Sequence, residues 1–312
     1  MTKTHRFWLP FSFALLALLV TGFVSLKAGP SSANIHYIIT QVRLPRYVLA
    51  CLLGAGLGVA GLLLQLATRN PLSEPELLGI NQTAVLTVVL ASLAAGSNLS
   101  SAVMVLAAFA GGALAGFAVL LMASSGSFPR DRLILAGLTI AFFSGSASSG
   151  ILLLRDTDLF ELLYWIAGKL SGSTWTDVAL AGLALILSMA VAVPRCSSWN
   201  LMQLGDDTAR NLGVDPVARR IEMLAVSVLL CSVSVALAGP IGFVGIVIPH
   251  ISELLVGLDY RRKLPMALVT GALLVSVSDL LARTLLSPAE LPVGVLTALV
   301  GAPYFLYKAR QL

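Results

Sequence analysis

The amino-acid sequence predicts an all-α, polytopic membrane protein with about ten transmembrane helices. Its mean hydropathy is +0.92, and only 11% of its 312 residues are charged, whereas a soluble domain carries about 25% charged residues. The apolar residues occur in runs of about 17 to 24 positions, the length that an α-helix needs to cross ~30 Å of hydrocarbon. We therefore interpret the whole chain, 1–312, as a single transmembrane domain.

Nine or ten membrane crossings can be placed along the chain. The first, 7–27, has a basic start but is too long for a signal peptide and lacks a clear cleavage site, so we expect an uncleaved span. The eighth is the weakest, because "GPIGFVGIVIPHISELLVG" is short and interrupted by Gly and Pro. Segment 159–172 is too short and polar to span and is predicted to lie at the outer interface, with Tyr164 and Trp165 as interfacial aromatics. The predicted spans after the first are 46–67, 79–95, 101–123, 132–154, 176–193, 217–238, 241–256, 264–284 and 293–309.

The distribution of basic residues selects ten spans with both termini in the cytoplasm. This topology places fourteen of the twenty Lys and Arg residues on the cytoplasmic side, as the positive-inside rule requires, whereas an odd number of spans scatters them. The same rule explains the net charge of +5, so we predict no nucleic-acid partner. The six basic residues left on the outer side are Lys27, Arg43, Arg46, Arg155, Lys169 and Arg283.

The longest cytoplasmic connection, Leu201–Arg220, has the features of an ordered segment. Its sequence "LMQLGDDTARNLGVDPVARR" joins the sixth and seventh spans and carries six charged residues. Within it, Asp206 and Asp207 oppose the positive end of a short helix dipole, and Arg210 lies near the negative end. Gly213 is placed to stop that helix. The sequence therefore predicts a short helix rather than a slack linker.

A second helix start follows in the same connection. Asp215 and Pro216 occupy the cap and first-turn positions, where these residue types are favoured. A solvated linker is the alternative interpretation, but a linker requires neither caps nor stop signals.

Small residues recur at the spacing of helix contacts. Gly54 and Gly58 are four positions apart in "GAGLGVAG", as are Gly112 and Gly116 in "GGALAG". Glycine lets helix backbones approach closely within a bilayer. These two pairs are therefore predicted to lie at helix–helix contacts.

The fifth span contains the polar, small-residue run "FFSGSASSG". Two interpretations stay open for it, namely tight helix packing and a polar strip that faces a water-filled passage. The candidate passage-lining residues are Ser144, Ser146, Ser148 and Ser149.

The segment "RNPLSEPELLG" follows the second span on the predicted cytoplasmic side. Pro71 and Pro75 stiffen it, and Glu74 or Glu76 is expected near the start of the third span. We interpret the segment as a structural turn and assign it no chemistry.

Several kinds of functional site are missing from the sequence. No G-x-x-x-x-G-K-[ST] loop is present, so this type of nucleotide site is not expected. The three histidines and three cysteines follow no metal-binding spacing, and we predict no metal site and no catalytic residue. Asp279 and Arg283 are the nearest approach to an intramembrane proton relay, and a structural ion pair four residues apart is the favoured interpretation.

Three long stretches resemble one known family. They are "RLPRYVLACLLGAGLGVAGLLLQLATRNPLSEPELLGIN" at 43–81, "LGDDTARNLGV" at 204–214, and the block from "GPIGFVGIVIPH" to "GAPYFL" at 239–306. The chain is similar here to permease subunits of the ABC importers for ferric siderophores, haem and cobalamin. The resemblance runs from about Arg43 to the end of the chain.

The resemblance implies a bacterial cytoplasmic-membrane subunit of ten helices that pairs with a second permease subunit, as a homodimer. It also implies two separate ATPase subunits, which hold ATP and Mg, and a soluble substrate-binding protein, with no cofactor on this chain. In that family the loop between the sixth and seventh spans couples the permease to the ATPase. Carried onto this chain, the coupling residues are Gly205, Asp206, Asp207, Arg210, Leu212 and Gly213.

The resemblance further implies that outward-facing arginines receive acidic residues of the binding protein. The matching positions here are Arg43, Arg46 and Arg283. The alternative is that these side chains snorkel or pair with Asp279 or Glu290 within the chain.

The favoured function is import of a ferric siderophore, with haem or cobalamin as alternatives. An ion-driven secondary transporter is a second hypothesis of a different class, for which Asp279 would be the one candidate ion ligand. A structural or receptor membrane protein is a third, but it does not explain the capped segment between the sixth and seventh spans.

Overall fold

The computed structural model describes residues 5–28, 35–95, 100–124, 130–154 and 160–310, and these residues form helices joined by short connections without any strand. Lys3 and Arg155, which contribute to the predicted orientation, lie outside the described residues. A π-helical turn, Ile38–Arg43, leads into the third helix, and a 3₁₀ turn, Pro75–Leu78, leads into the fourth. The helices are α1 His5–Lys27, α2 Ile35–Tyr37, α3 Leu44–Thr68, α4 Ile80–Ala95, α5 Ser101–Ser124, α6 Arg130–Leu153, α7 Phe160–Ile166, α8 Trp175–Met202, α9 Asp206–Asn211, α10 Pro216–Ala238, α11 Val244–Val256, α12 Tyr260–Thr284 and α13 Val293–Ala309.

Within the described residues, seven helical segments are long and apolar enough to cross a membrane. They contain α1, α3, α5, α6, α8, α10 and α12. Three shorter apolar helices, α4, α11 and α13, occupy the third, eighth and tenth predicted spans. With 13 residues, α11 is about 20 Å long, which is less than the hydrocarbon thickness of ~30 Å. The protein is thus a multi-pass, all-helical membrane protein, and the count of ten crossings stays a prediction.

The predicted interfacial segment forms a short helix, α7, and one of its two aromatic residues is buried within the bundle. Trp165 is buried, and its carbonyl oxygen lies so close to Gly239 that no side chain fits at that position. Gly239 has a φ of +72° and ends α10. Trp165 therefore packs against Gly239 at the C-terminal end of α10, a contact between segments that are distant in the sequence.

The central helix of the bundle is α3, which contacts α8, α10, α11 and α12 and is buried along most of its length. A Cβ atom on Gly54 would overlap the carbonyl oxygen of Gly271 in α12, and one on Gly61 would overlap Gly245 in α11. Gly58 lies against Ile248 and the carbonyl oxygen of Ala267. The predicted packing role of the first glycine pair is confirmed.

The second glycine pair joins α5 to α10. A Cβ atom on Gly116 would overlap the side chain of Val228, and one on Gly112 would lie 3.0 Å from the hydroxyl of Ser232. Both contacts are on α10, so this predicted packing role is also confirmed.

The outer helices expose apolar side chains to the surroundings of the bundle. Leu9, Phe13 and Leu16 of α1 are more than half exposed, as are Phe142 and Phe143 of α6. A soluble protein rarely exposes a contiguous apolar surface of this extent, whereas a bilayer accepts it. The exposed belt is the expected contact with lipid chains.

The contact between Gly54 and Gly271 yields a direct test of the packing. Gly54→Ala should lower the free energy of unfolding by about 1–3 kcal/mol, the usual cost of an overpacked core. The measurement is the thermal unfolding midpoint in detergent micelles. Gly150→Ala is the matched control, since nothing lies within 4 Å of a Cβ atom there. Equal midpoints for the two variants would contradict the observed packing.

Candidate coupling and docking sites

The segment between α8 and α10 is folded as the sequence predicts. Its short helix, α9, begins at Asp206 and ends at Asn211. The flanking residues Gly205 and Gly213 have φ values of +118° and +81°, which favour glycine. Asp215 then caps α10, with Oδ1 accepting a hydrogen bond of 2.9 Å from the N–H of Val217. The predicted helix, its stop and the following cap are confirmed.

Asp206 ties α9 to three membrane helices. Its Oδ1 lies 3.1 Å from Nη2 of Arg69, which follows α3, and its Oδ2 lies 3.0 Å from Nη2 of Arg220 in α10. Arg69 also donates to the carbonyl oxygen of Met202, the last residue of α8. Asp206 therefore anchors the coupling segment to the membrane helices, and its predicted contact with a partner stays a prediction.

The opposite side of α9 is exposed. The Asp207 side chain is 96% exposed and its ion pair with Arg210, at 3.6 Å, is on the surface, where such a pair contributes little stability. Leu204 and Leu212 are apolar but more than half exposed. We call these four residues the coupling face. They are the part of the segment that is free to meet a partner.

The turn between α11 and α12 is bonded to the end of α8. Asn200 donates from Nδ2 to Asp259 Oδ1 at 2.7 Å and accepts from the N–H of Tyr260 at 2.8 Å. Gln203 donates from Nε2 to the carbonyl oxygen of Leu258 at 3.1 Å. The ends of α8, α11 and α12 therefore form one hydrogen-bonded unit.

Asp259 is the N-cap of α12, accepting a hydrogen bond of 3.0 Å from the N–H of Arg261. Partial burial acts to raise the pKa of Asp259, but the hydrogen bonds from Asn200 and Arg261 outweigh it and the pKa is lower than usual. Asp259 therefore stays ionised, and the turn stays tied to α8, at neutral pH.

The segment between α3 and α4 folds back into the bundle. Glu74 is buried beside the start of α11, where a Cβ atom on Gly245 would lie 3.5 Å from its Cγ. Burial, with a smaller contribution from neighbouring Glu76, raises the pKa of Glu74 to about 8. Pro75 begins the 3₁₀ turn before α4, as expected for a structural turn. Glu74 thus lies within the bundle, against the first turn of α11.

The arginines at the predicted outer end are bonded within the chain. Arg46 is buried, with Nε 2.8 Å from Asp279 Oδ1 and Nη1 2.9 Å from Glu290 Oε2. Of the two interpretations of Arg46, internal pairing is the one that the structure supports. A buried arginine needs such partners because its charge is costly to remove from water.

Arg43 and Arg283 hold the end of α1. Arg43 donates from Nη1 to the carbonyl oxygen of Leu26 at 2.8 Å, and Arg283 donates to the hydroxyl and carbonyl oxygens of Ser25. The predicted direct pair between Asp279 and Arg283 is wrong, because Asp279 bonds to Arg46 instead. A docking role for the arginines stays a prediction.

The four serines of α6 divide into two sets. Ser144 is buried and lies 3.1 Å from the hydroxyl of Thr83 in α4, and Ser148 donates to the carbonyl oxygen of Ser144. Ser146 and Ser149 are exposed on the outside of the bundle. Packing accounts for the first two serines, and the second two stay candidates for a passage.

The cysteines act as apolar packing residues. Cys196 and Cys231 are buried, and both are free thiols, as is Cys51. Among the described residues, no three His, Cys, Asp or Glu side chains lie close enough together to hold a metal ion.

A family model decides the relationship that these features suggest. The model of the FecCD transport family matches residues 5–311. The chain belongs to this family. The predicted membership is therefore confirmed. The match covers nearly the whole chain and extends beyond the three stretches whose motifs suggested it.

Individual relatives agree with the family. The Fe(3+)-citrate import system permease protein YfmD of Bacillus subtilis (strain 168) is 39% identical over 274 residues, which cover 88% of this chain and 81% of that protein. The Fe(3+) dicitrate transport system permease protein FecD of Escherichia coli (strain K12) is 41% identical over 272 residues, which cover 87% and 85% of the two chains. Other relatives are named for iron-hydroxamate, haemin and cobalamin import.

A solved structure extends the likeness to the fold. The inward-facing conformation of a metal-chelate type ABC transporter matches with a TM-score of 0.87 and 30% identity, covering 97% of this chain and 99% of that one. This FecCD-family chain is thus a permease of the ABC importers for iron-siderophore, haem or cobalamin.

The anchoring of α9 by Asp206 can be tested by hydrogen exchange. Asp206→Ala should release α9 from Arg69 and Arg220, so that amides of 204–213 exchange at least about tenfold faster, which corresponds to ~1.4 kcal/mol. Asp207→Ala is the control, because its side chain is exposed. If both variants exchange alike, Asp206 is not the anchor.

The raised pKa of Glu74 predicts a pH-dependent stability. The folded chain holds a proton that the unfolded chain releases between pH 4.5 and about 8, so stability should fall as pH rises through that window. The thermal unfolding midpoint in detergent should be higher at the acidic end of the window than at the basic end. Glu74→Gln should abolish this contribution, whereas Asp207→Asn, a change in a side chain that is 96% exposed, should retain it. An unchanged pH profile in Glu74→Gln would contradict the assignment.

Proposed function

We propose that this chain is the transmembrane permease subunit of an ATP-driven importer whose substrate is a ferric siderophore. The substrate class is supported by the ferric citrate names of two similar relatives, with haem and cobalamin as the alternatives. The observation that carries the transport mechanism is the anchored helix α9 with its outward coupling face. A helix fixed by Asp206 and exposed through Asp207, Arg210 and Leu212 is suited to receive force from another protein.

In this proposal, ATPase subunits that bind ATP and Mg contact the coupling face on the cytoplasmic side. Their closure moves α9, and Asp206 passes the movement to Arg69 and Arg220, at the ends of α3 and α10. A flexible segment would absorb this movement. Helix α9 is instead short and bounded by turns at Gly205 and Gly213. This chain makes or breaks no substrate bond.

The proposed particle contains a second copy of this permease and a soluble substrate-binding protein. It lies in the bacterial cytoplasmic membrane with both termini in the cytoplasm, as the charge distribution favours. Ser146 and Ser149, which are exposed on α6, are the residues that we propose to face a passage shared with the second copy.

The binding protein is proposed to dock at the end where Arg43, Arg46 and Arg283 lie. These arginines join α1, α3 and α12 into one frame through their bonds to Ser25, Leu26 and Asp279. Docking on a rigid frame would shift the helices together, and complementary charges would guide the approach more than they would tighten it.

Coupling is tested in proteoliposomes that contain the chain, its ATPase subunits and its binding protein. Asp207→Lys and Arg210→Glu should each reduce substrate-driven ATP hydrolysis and uptake about tenfold, which corresponds to ~1.4 kcal/mol of lost contact energy. Arg310→Glu, an exposed change near the C-terminus, is the matched control. Unchanged coupling in both test variants, or uptake without any ATPase subunit, would contradict the proposal.

The same proteoliposomes distinguish the substrates. Ferric citrate, a ferric hydroxamate, haem and cobalamin are supplied separately with the binding protein, and ATP-dependent uptake of each is measured. Uptake of a ferric chelate in preference to haem and cobalamin is the expected result. Preferential uptake of haem or cobalamin would overturn the siderophore assignment while leaving the ATP-driven mechanism intact.

A further inference from the structure

A second exposed surface lies at the same end of the bundle as the coupling face. Leu254, in the last turn of α11, is 81% exposed, and Leu258, in the turn between α11 and α12, is 60% exposed. Arg261 follows on the first turn of α12 and is exposed as well. We call Leu254, Leu258 and Arg261 the turn surface. Apolar side chains beside an exposed cation match the composition of a protein contact, with an apolar centre and a polar rim.

Hydrogen bonds join the turn surface to the segment that carries the coupling face. The carbonyl oxygen of Leu258 accepts a hydrogen bond from Gln203, and Gln203 directly precedes Leu204 of the coupling face. Asn200 bonds to Asp259 in the same turn. The two surfaces are therefore carried on one rigid assembly of helix ends, so that a single partner can meet both without deforming the chain.

A cleft of about 360 Å³ is lined by residues from both sides of this assembly. Lys263 is buried at its edge, with Nζ 2.8 Å from Glu253. On the other side, Arg69 lines the cleft and also holds α9 through Asp206. Each of the two cations in the lining is paired with a carboxylate, so the cleft is polar without excess positive charge and suits a hydrogen-bonding side chain. The lining residues are Gln65, Leu66, Arg69, Pro71, Met202, Gln203, Glu253, Tyr260 and Lys263.

Among the occupants that this surface could meet, an acyl chain fits less well than a polar partner. Gln203 and Glu253 of the lining are exposed, and an acyl chain would remove water from their polar groups without offering a hydrogen bond in return. The cleft also lies beside Arg69, which anchors the coupling face, so its occupant must approach from the side that the coupling partner approaches.

We propose that the turn surface and the adjoining cleft form a second contact for the same ATPase subunit that binds the coupling face. Leu254 and Leu258 supply the apolar centre, Arg261 receives an acidic side chain of the ATPase, and the polar cleft receives a hydrogen-bonding side chain. This inference rests on the proposed function. Helix α9 has six residues, about 9 Å of length, and a partner held at that one point could pivot about it. A second contact would prevent this rotation, so that closure of the ATPase would move the helix ends in one direction.

Photo-crosslinking tests the inference in the full importer, co-expressed with a tagged ATPase subunit. A benzoylphenylalanine probe replaces Leu258, Leu212 or Arg310 in separate preparations, and adducts are identified by mass. The expected result is an ATPase adduct from positions 258 and 212 and none from 310. An adduct from 212 but not from 258 overturns the second contact and leaves the proposed function standing. No ATPase adduct from either position overturns both, and a permease-dimer or lipid adduct alone at 258 overturns the second contact.

Affinity measurements give an independent check on the same contact. Leu258→Asp should weaken binding of the purified ATPase subunit to the detergent-solubilised permease about tenfold, and Leu258→Met should bind like the unmodified chain. Leu258 is exposed, and an unchanged thermal unfolding midpoint verifies that Leu258→Asp is folded. Equal affinity of Leu258→Asp and Leu258→Met overturns the second contact, whereas loss of binding in Leu212→Asp alone preserves the role of the coupling face.

Discussion

The close packing around α3 is the constraint on which the rest of the structure depends. Helices in a bilayer gain no hydrophobic free energy from meeting one another, so their association depends on shape and on contacts between backbones. Gly54 and Gly61 provide that contact, one against α12 and the other against α11. Because α3 also contacts α8 and α10, its packing helps to fix the position of the coupling segment at one end and of the arginines at the other.

Each end of α3 is held by a three-member ionic cluster of opposite composition. At one end a single carboxylate, Asp206, lies between Arg69 and Arg220, and at the other Arg46 lies between two carboxylates. Because arginine presents several donors in a planar fork, it can join two acceptors at once and so fix three segments with one side chain. What remains exposed at the coupling end is a mixed surface of leucines with single charges, which suits a protein partner.

Local signals in the sequence are sufficient to predict the helices and their ends. They are not sufficient to predict which distant residues contact one another. Long apolar runs indicate the membrane helices, and the residue types at Gly213 and Asp215 are enough to mark the end of α9 and the start of α10. The partner of Arg46 could only be narrowed to alternatives, because Asp279 is 233 residues away. Glu74 likewise gave no sign that its side chain enters the bundle, since only the fold brings the start of α11 beside it.

The shortness of α11 has a consequence for how the chain enters the membrane. A helix of 13 residues reaches only about two thirds of the way across the hydrocarbon layer. Its first turn therefore begins among other helices, beside the buried Glu74 of a segment more than 160 positions earlier. We expect that α11 does not partition into lipid as an independent unit. Biogenesis of the C-terminal half would then wait for the N-terminal half to be in place.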